Sequence, residues 1–568
     1  MFFTTLSTSK RAVAGLLIWL LAVGMVFSLA PKLDDVTTNE TEEFLPAGAE
    51  SVQAMELRAE KFPSGDGIPA LVVFSSRGDI ASKNEAVESF TKIARSATAP
   101  EAIQSVLSPG DSLAANATLN SEDGSTSMVV VTINGLPSNP PFQSAVEWLS
   151  DRAAETGGEL KDPEGQVVDT AVTGPAGIII DAVKVFGKID VAITVATGLL
   201  VLVLLLLIYR SPVTAIIPLL VIGSALSLAQ AIAALLADNF DLPLNGQVTG
   251  IMSVLVFGAG TNYALFIVSR YREELVSQSD KWLAMRCTMS RVGPSIAGSA
   301  GTTMVAMLAL TFSSYGSFRS LGPMLAMAIF VVLLSGIFVM PAVIALCGRW
   351  VFWPRPLIQS HSFSDSGVWS RVGQLVVRRP LLIFSITMIG IVIATIPAWS
   401  IKPSHNFLAG FPDDMESKVG YEMLAESFPP GRLAPTEIYI VASEPNILTA
   451  AVEIDDLTAR LANMEDIVSV TGPTRPAGRP VNSGGYLEQG GGQFVSLDGS
   501  TARIDVVLKG DPYSTESLAT IVTIREILSS TEFPTLLAPY TLVGGDTAIE
   551  SDTKAVIDAD VRWLAPVS

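Results

Sequence analysis

The chain has 568 residues, is 49% hydrophobic with a mean hydropathy of +0.46, and carries a formal net charge of −19. The acidic excess lies in two long polar blocks, residues 31–188 and 401–560, while the apolar remainder is net basic. That division excludes an ordinary soluble enzyme and a nucleic-acid-binding protein, and it calls for solvated domains attached to a membrane part.

Residues 1–11 end in Lys10-Arg11 and precede an apolar run over 12–30, about the 20 residues that a span needs. Ser28-Leu-Ala30 would pass as a signal-peptide cleavage site, but recurrence of the same unit later favours a retained anchor helix. In block 31–188, strand-like runs at 70–75, 128–134 and 167–173 alternate with helical patterns at 83–97 and 142–155. The order strand, helix, strand, strand, helix, strand predicts a small α+β domain of split β-α-β type. Gly174-Pro175 then opens a helix leading into the membrane.

The segment 189–347 holds apolar runs at about 190–208, 213–236, 247–268, 293–313 and 321–347, each long enough to span. Basic residues gather in alternate joints: Arg210; then Arg270, Arg272, Lys281, Arg286 and Arg291; then Arg349, Arg355, Arg371, Arg378 and Arg379. The other joints are acidic or nearly neutral. The positive-inside rule therefore puts the N-terminus and the linker 348–380 in the cytoplasm, with both polar blocks outside.

A further span at 381–400 leads into the second polar block, 401–560, which repeats the first. Pro46-Ala-Gly-Ala-Glu-Ser51 matches Pro412-Asp-Asp-Met-Glu-Ser417, and Gly174, Ile178 and Asp181 match Gly545, Ile549 and Asp552. Such internal similarity marks a tandem duplication. It leads us to expect five more spans, whereas residues 561–568 form only the start of an eighth. The two cysteines, Cys287 and Cys347, and the two histidines, His361 and His405, give no disulfide framework or metal spacing. No phosphate-binding loop or nucleophile–base constellation is present either, so the reading is a non-enzyme without a cofactor.

Several runs resemble the MMPL family of the RND superfamily, proton-driven exporters of bacterial inner membranes. Gly258-Ala-Gly-Thr-Asn-Tyr-Ala-Leu-Phe266, followed by Ser269-Arg-Tyr-Arg-Glu-Glu-Leu275, resembles the family's fourth span. The runs beginning at Arg291, Leu321 and Met340 resemble its fifth-span entry and the two ends of its sixth. The resemblance covers essentially the whole chain. It implies an α-helical polytopic membrane protein with an RND-type bundle and two extracytoplasmic α+β porter domains. It also implies export of lipids, lipid-like metabolites or hydrophobic drugs, coupled to proton entry. Many members have an Asp-Tyr pair where this chain has Asn262-Tyr263. An amide has no proton to exchange near neutral pH, so the titrating group is expected elsewhere.

Two readings of these residues stand side by side. In one, Asn262, Tyr263, Ser299 and Thr302 lie on a proton path. In the other, they make helix–helix hydrogen bonds, with Gly258 and Gly260 allowing close packing. Arg270 and Arg272 read as cytoplasmic anchors. The expected partners are the bilayer, a hydrophobic small molecule, and a separate polypeptide supplying spans 8–12; nucleic acid is excluded. The rival readings are a non-transporting scaffold that binds lipid or an envelope partner, and an inactive fragment.

Overall fold

The computed structural model describes residues 9–31, 36–38, 44–62, 67–76, 80–135, 137, 139–159, 168–240, 242, 244–354, 368–397, 407–432, 434–480 and 491–564. His361, His405, residues 355–367 of the linker 348–380, the end of the 381–400 run and the last residues of 561–568 lie outside them.

In chain order, α1 (Ser9–Leu29) is followed by the short β1 (Thr37–Thr38) and α2 (Glu50–Lys61). The first polar domain contains β2 (Ile68–Ser75), α3 (Ile80–Ala94), β3 (Ile103–Leu107), α4 (Leu113–Leu119), β4 (Thr126–Ile133), α5 (Pro140–Glu159) and β5 (Asp169–Thr173). Its sheet runs β3-β4-β2-β5, and every neighbouring pair is antiparallel. Alternate residues of the strands, among them Val72, Phe74, Val129 and Val131, enter a core closed by Phe90 of α3 and by Phe142, Val146 and Leu149 of α5. A β-strand's two-residue period makes such a one-sided core possible.

At Gly174 the chain leaves β5 with φ +75°, and a Cβ there would lie 2.6 Å from Cγ of Leu71, so only glycine fits. The helix that starts here, α6 (Gly174–Tyr209), continues unbroken from the polar domain into an apolar stretch. It is followed by α7 (Pro212–Phe240), the short β6 (Leu244–Asn245), α8 (Val248–Ser277), α9 (Lys281–Ala309) and α10 (Gly316–Leu334). A π-helical turn at Ser335–Val339 joins α10 to α11 (Met340–Cys347). Among the described residues, six helical stretches are long and apolar enough to cross a membrane: Lys10–Leu29, Val191–Tyr209, Pro212–Phe240, Val248–Ser277, Lys281–Phe312 and Gly316–Phe352.

The linker contributes a strongly amphipathic helix, α12 (Val368–Arg378). With α13 (Pro380–Thr395) it forms a pair bent by 101° that counts as one further candidate span. Arg379-Pro380 sits at the bend, where proline restricts the residue before it and starts the next helix. No residue of α13 is buried, whereas α1 docks on α7 and donates a hydrogen bond from Trp19 Nε1 to Ser224 Oγ at 3.1 Å.

The second polar domain repeats the first: α14 (Glu416–Ser427), β7 (Thr436–Val441), α15 (Ala451–Ala462), β8 (Ile467–Thr471), β9 (Thr501–Leu508), α16 (Thr515–Ser529), β10 (Tyr540–Gly544) and α17 (Asp546–Leu564). Its sheet order, β10-β7-β9-β8, is the same arrangement. Gly545, with φ +89°, repeats the strand-to-helix junction of Gly174.

The two halves exchange helices. Helix α2 packs on β10 of the second domain, and α14 packs on β5 of the first. The bonds that hold them are equivalent. Glu50 Oε1 accepts from Val543 N at 2.8 Å, as Glu416 Oε1 accepts from Val172 N at 2.9 Å. Asp552 Oδ2 accepts from Ser51 N at 3.0 Å, as Asp181 Oδ2 accepts from Ser417 N at 2.9 Å. Each aspartate meets the first turn of the exchanged helix, where unpaired N–H groups and the helix dipole favour an anion.

Candidate functional site

The centre of α8 has one face inside the bundle and one outside it. Gly260 is buried against α7, and a Cβ placed on it would lie 2.7 Å from Cγ1 of Ile222. Tyr263 is 2% exposed and lies beside Gly336, where an added Cβ would lie 3.2 Å from the ring's Cδ2. Gly336 belongs to the π-helical turn. Pro341, just beyond, has no N–H to return to the preceding turn, and a π-turn is one way a helix absorbs that loss. Widened turns of this kind recur at functional sites.

Asn262 is exposed, as is Gly258, which meets nothing within 4 Å. One step along a helix is a turn of about 100°, so adjacent Asn262 and Tyr263 face different ways. Ile251, Val254, Gly258, Asn262 and Phe266 form the outward stripe of α8. On α9 the outward stripe is Ser295, Gly298, Ser299, Thr302 and Ala306. Thr302 Oγ1 donates to the carbonyl of Ser299 at 2.9 Å, a local bond common for threonine in membrane helices. The structure thus brings Tyr263 and Gly260 together in the interior. Asn262, Gly258, Ser299 and Thr302 remain on the surfaces of two helices that pack against each other.

The charged end of α8 is a joint among three helices. Glu274 is only 7% exposed and accepts from Arg270 Nη2 at 2.7 Å and from Arg291 Nη1 of α9 at 3.0 Å. The guanidinium of Arg272 stacks over Phe352, 5.9 Å from the ring centroid. Lys281 Nζ donates to the carbonyl of Leu346 at 2.7 Å, and Arg349 Nη2 donates to that of Leu275 at 3.3 Å. Sequence reading names Arg270 and Arg272 but misses Glu274 as the hub. The i, i+4 spacing of Arg270 and Glu274 was the available signal.

A second missed residue is Asp560 of α17, which is 1% exposed. Its carboxylate accepts from Ser313 Oγ at 2.5 Å, Ser314 N at 3.0 Å, Tyr315 N at 2.9 Å and Trp563 Nε1 at 3.3 Å. It therefore closes the start of α10 with a side chain from the second domain. Burial alone would raise its pKa, but the hydrogen bonds from Ser313, Ser314, Tyr315 and Trp563 hold it below the usual carboxylate range.

Long apolar helices and two exchanged α+β domains define a multi-pass membrane protein built by duplication. The chain belongs to the MMPL family, whose profile matches residues 43–383 and 409–568. It is 33% identical to the putative membrane protein SCO5905 of Streptomyces coelicolor, over 98% of this chain and 63% of that protein. It is 30% identical to the apo-petrobactin exporter of Bacillus anthracis, over 74% of this chain and 59% of that protein. Identity to the probable transport protein MmpL12 of Mycobacterium tuberculosis is 28%, over 94% of this chain and 46% of that protein. The chain thus covers between 46% and 63% of the length of these relatives.

Proposed function

We propose that this chain works as part of an MMPL-type secondary transporter of the bacterial inner membrane, exporting lipid-like or other hydrophobic compounds at the expense of inward proton movement. The carrying observation is the chemistry of the outward face of α8 and α9. Elsewhere the exposed membrane surface is large and aliphatic, as at Leu199, Leu200, Val203 and Leu207 of α6. On α9 it includes Ser295, Gly298, Ser299 and Thr302 beside the aliphatic Val305 and Leu308, and on α8 it includes Gly258 and Asn262 among Ile251, Val254 and Phe266. Small and hydroxylated residues serve close helix packing in a bilayer, and an amide left in lipid is costly. This face is suited to further helices. In the proposal they come from a second bundle, either the segment by which the relatives exceed this chain or a separate polypeptide supplying spans 8–12.

Asn262 would then meet that bundle, Ser299 and Thr302 would line the seam, and Tyr263 would support the relay from inside. Because Asn262 does not ionise near neutral pH, the titrating group in this proposal belongs to the second bundle. The N-terminus is cytoplasmic in this reading, and the two polar domains, whose strand order fits a split β-α-β layout, are extracytoplasmic porter domains. That two relatives are named an exporter and a transport protein supports the transport part of this reading.

The test is Tyr263→Phe in vesicles holding this chain together with its second bundle under an imposed proton gradient. Gradient-driven efflux should fall to background while substrate binding persists. Full flux in the variant would remove Tyr263 from the relay. Partner binding without any gradient-driven flux in the unmodified assembly would favour the scaffold instead.

A further inference from the structure

The duplication allows each half to be used as the reference for the other, and the two clasps differ at one position. In the second domain, Arg525 of α16 bridges the exchanged pair: Nε lies 2.7 Å from Glu50 Oε2 and Nη1 lies 2.7 Å from Asp552 Oδ1. The helices α5 and α16 align by their buried positions, Phe142, Ala145, Val146, Leu149 and Ala153 matching Ser517, Thr520, Ile521, Ile524 and Leu528. That alignment puts Ser150 where the second domain has Arg525.

Ser150 Oγ donates to Glu416 Oε2 at 2.6 Å, taking one of the two bonds that Arg525 makes. The space of the missing guanidinium is a cavity of about 300 Å3 lined by Ser150, Asp151, Val172, Asp181 and Glu416, with Glu147 and Lys184 also on its wall. Asp181 is 8% exposed, and its Oδ2 is held by Ser417 N. Its Oδ1, the counterpart of the oxygen that binds Arg525, has no partner among the described residues and belongs to a side chain that lines the cavity. Lys184 is the cation on the wall, but its ammonium pairs with Glu147 at 3.2 Å and both side chains are about half exposed.

We propose that this cavity is a binding site for a small cationic ligand bearing a guanidinium or related planar cation, which bridges Glu416 and Asp181 as Arg525 bridges Glu50 and Asp552. Two carboxylates set to accept a fork of N–H donors suit that class better than a spherical ammonium. Because Glu416 comes from the second half and Asp181 from the first, the bound cation would complete the tie between the exchanged α14 and the first domain.

The experiment measures thermal unfolding and titration calorimetry on the purified full chain, with butylguanidine and butylamine as probes. Butylguanidine should raise the unfolding temperature saturably and bind more tightly than butylamine. Asp181→Asn together with Glu416→Gln should weaken binding by about tenfold or more, the loss expected for charge-assisted bonds. Ser150→Arg should unfold at a higher temperature and no longer respond. If that variant does not fold, Arg525→Ser provides the converse case: it should be destabilised and rescued in part by butylguanidine. No saturable response in the unmodified chain overturns the proposal, as does an unchanged response in the carboxylate variants. Butylamine binding as tightly as butylguanidine would overturn the preference for a planar cation.

Discussion

Gly260 and Gly258 are two residues apart and lie on opposite sides of α8, which makes them a matched pair for testing the two faces. A methyl group on Gly260 would lie 2.7, 3.1 and 3.2 Å from Cγ1, Cδ1 and Cγ2 of Ile222. Carbon atoms in contact prefer about 3.5–4.0 Å, so all three contacts are compressed. Ile222 is β-branched and fully buried, and it has few rotamers in which to retreat. Overpacking costs about 1–3 kcal/mol, and this stiff neighbour puts Gly260→Ala in the upper part of that range. Gly258→Ala meets nothing within 4 Å and should gain about 0.5–1 kcal/mol from helix propensity. The assay is thermal unfolding of the purified chain in detergent, followed by gel filtration. Gly260→Ala should unfold at a lower temperature, Gly258→Ala at an equal or higher one, and Ile222→Ala should relieve the Gly260→Ala penalty in a double-mutant cycle. Equal losses at both glycines would refute the assignment of an inner and an outer face. When the second bundle is present, Gly258→Ala should become the costly one, because the proposed partner helix would occupy its open side.

Three further outcomes follow from charges outside the membrane. Replacing Arg525 with Met removes a hydrogen bond to Asp552 and an ion pair with Glu50, both at 2.7 Å, and leaves Glu50 and Asp552 facing each other, with side chains 32% and 12% exposed. Breaking a fully buried pair costs about 3–5 kcal/mol, and partial exposure reduces this to about 2–3 kcal/mol; denaturant unfolding should also find the loss smaller in a Glu50→Gln background. For Asp560, the depressed pKa means its contribution is present above the unfolded carboxylate value and is lost as pH falls through the folded one. Asp560→Asn should therefore flatten acid destabilisation and speed amide exchange at Ser314 and Tyr315; unchanged exchange would show that the cap is dispensable. Glu550 has the opposite sign, since burial, reinforced by Asp546, pushes it up to about 7. Its contribution is complete below its unfolded value and disappears as pH rises through about 7, so the chain should lose stability between pH 5 and 8, and Glu550→Gln should remove part of that loss.

Much of the architecture can be read from the residues. Apolar runs announce the long helices, two-residue alternation announces the strands, and the repeated Pro46–Ser51 and Pro412–Ser417 motifs announce the duplication. The exchange of α2 and α14 cannot be read in that way. The pattern Ser51, Val52, Ala54, Leu57 says that α2 buries one face, but periodicity does not say whose sheet covers it. At the candidate site the residues were legible and their directions were only partly so. Helix geometry separates Asn262 from Tyr263 and Gly258 from Gly260, but which member faces inward depends on α7 and the π-turn, which lie far away in sequence. Asp560 was invisible for a similar reason, because its partners Ser313 to Tyr315 precede it by 245 to 247 residues.

The agreements and differences between the halves carry separate information. Glu50 with Glu416, Ser51 with Ser417, Asp552 with Asp181 and Gly545 with Gly174 do the same work twice, and that work is to hold exchanged helices at a strand-to-helix junction. Such residues serve the fold, and substituting either member should damage its own clasp in the same way. Positions where one half departs from the other have no such symmetric duty. Ser150 leaves a space where Arg525 fills one, and Asp560 ties α17 to the start of α10. In the membrane the same contrast separates α1, anchored to α7 through Trp19 and Ser224, from α13, whose residues are all unburied. The duplicated helix keeps the apolar surface, with Ser385 where the Glu50–Glu416 offset places Trp19 of α1. Its sequence still holds Ser385, Thr387 and Gly390 among the aliphatic residues, the small and hydroxylated types that pack helices in a bilayer, as on the outward faces of α8 and α9.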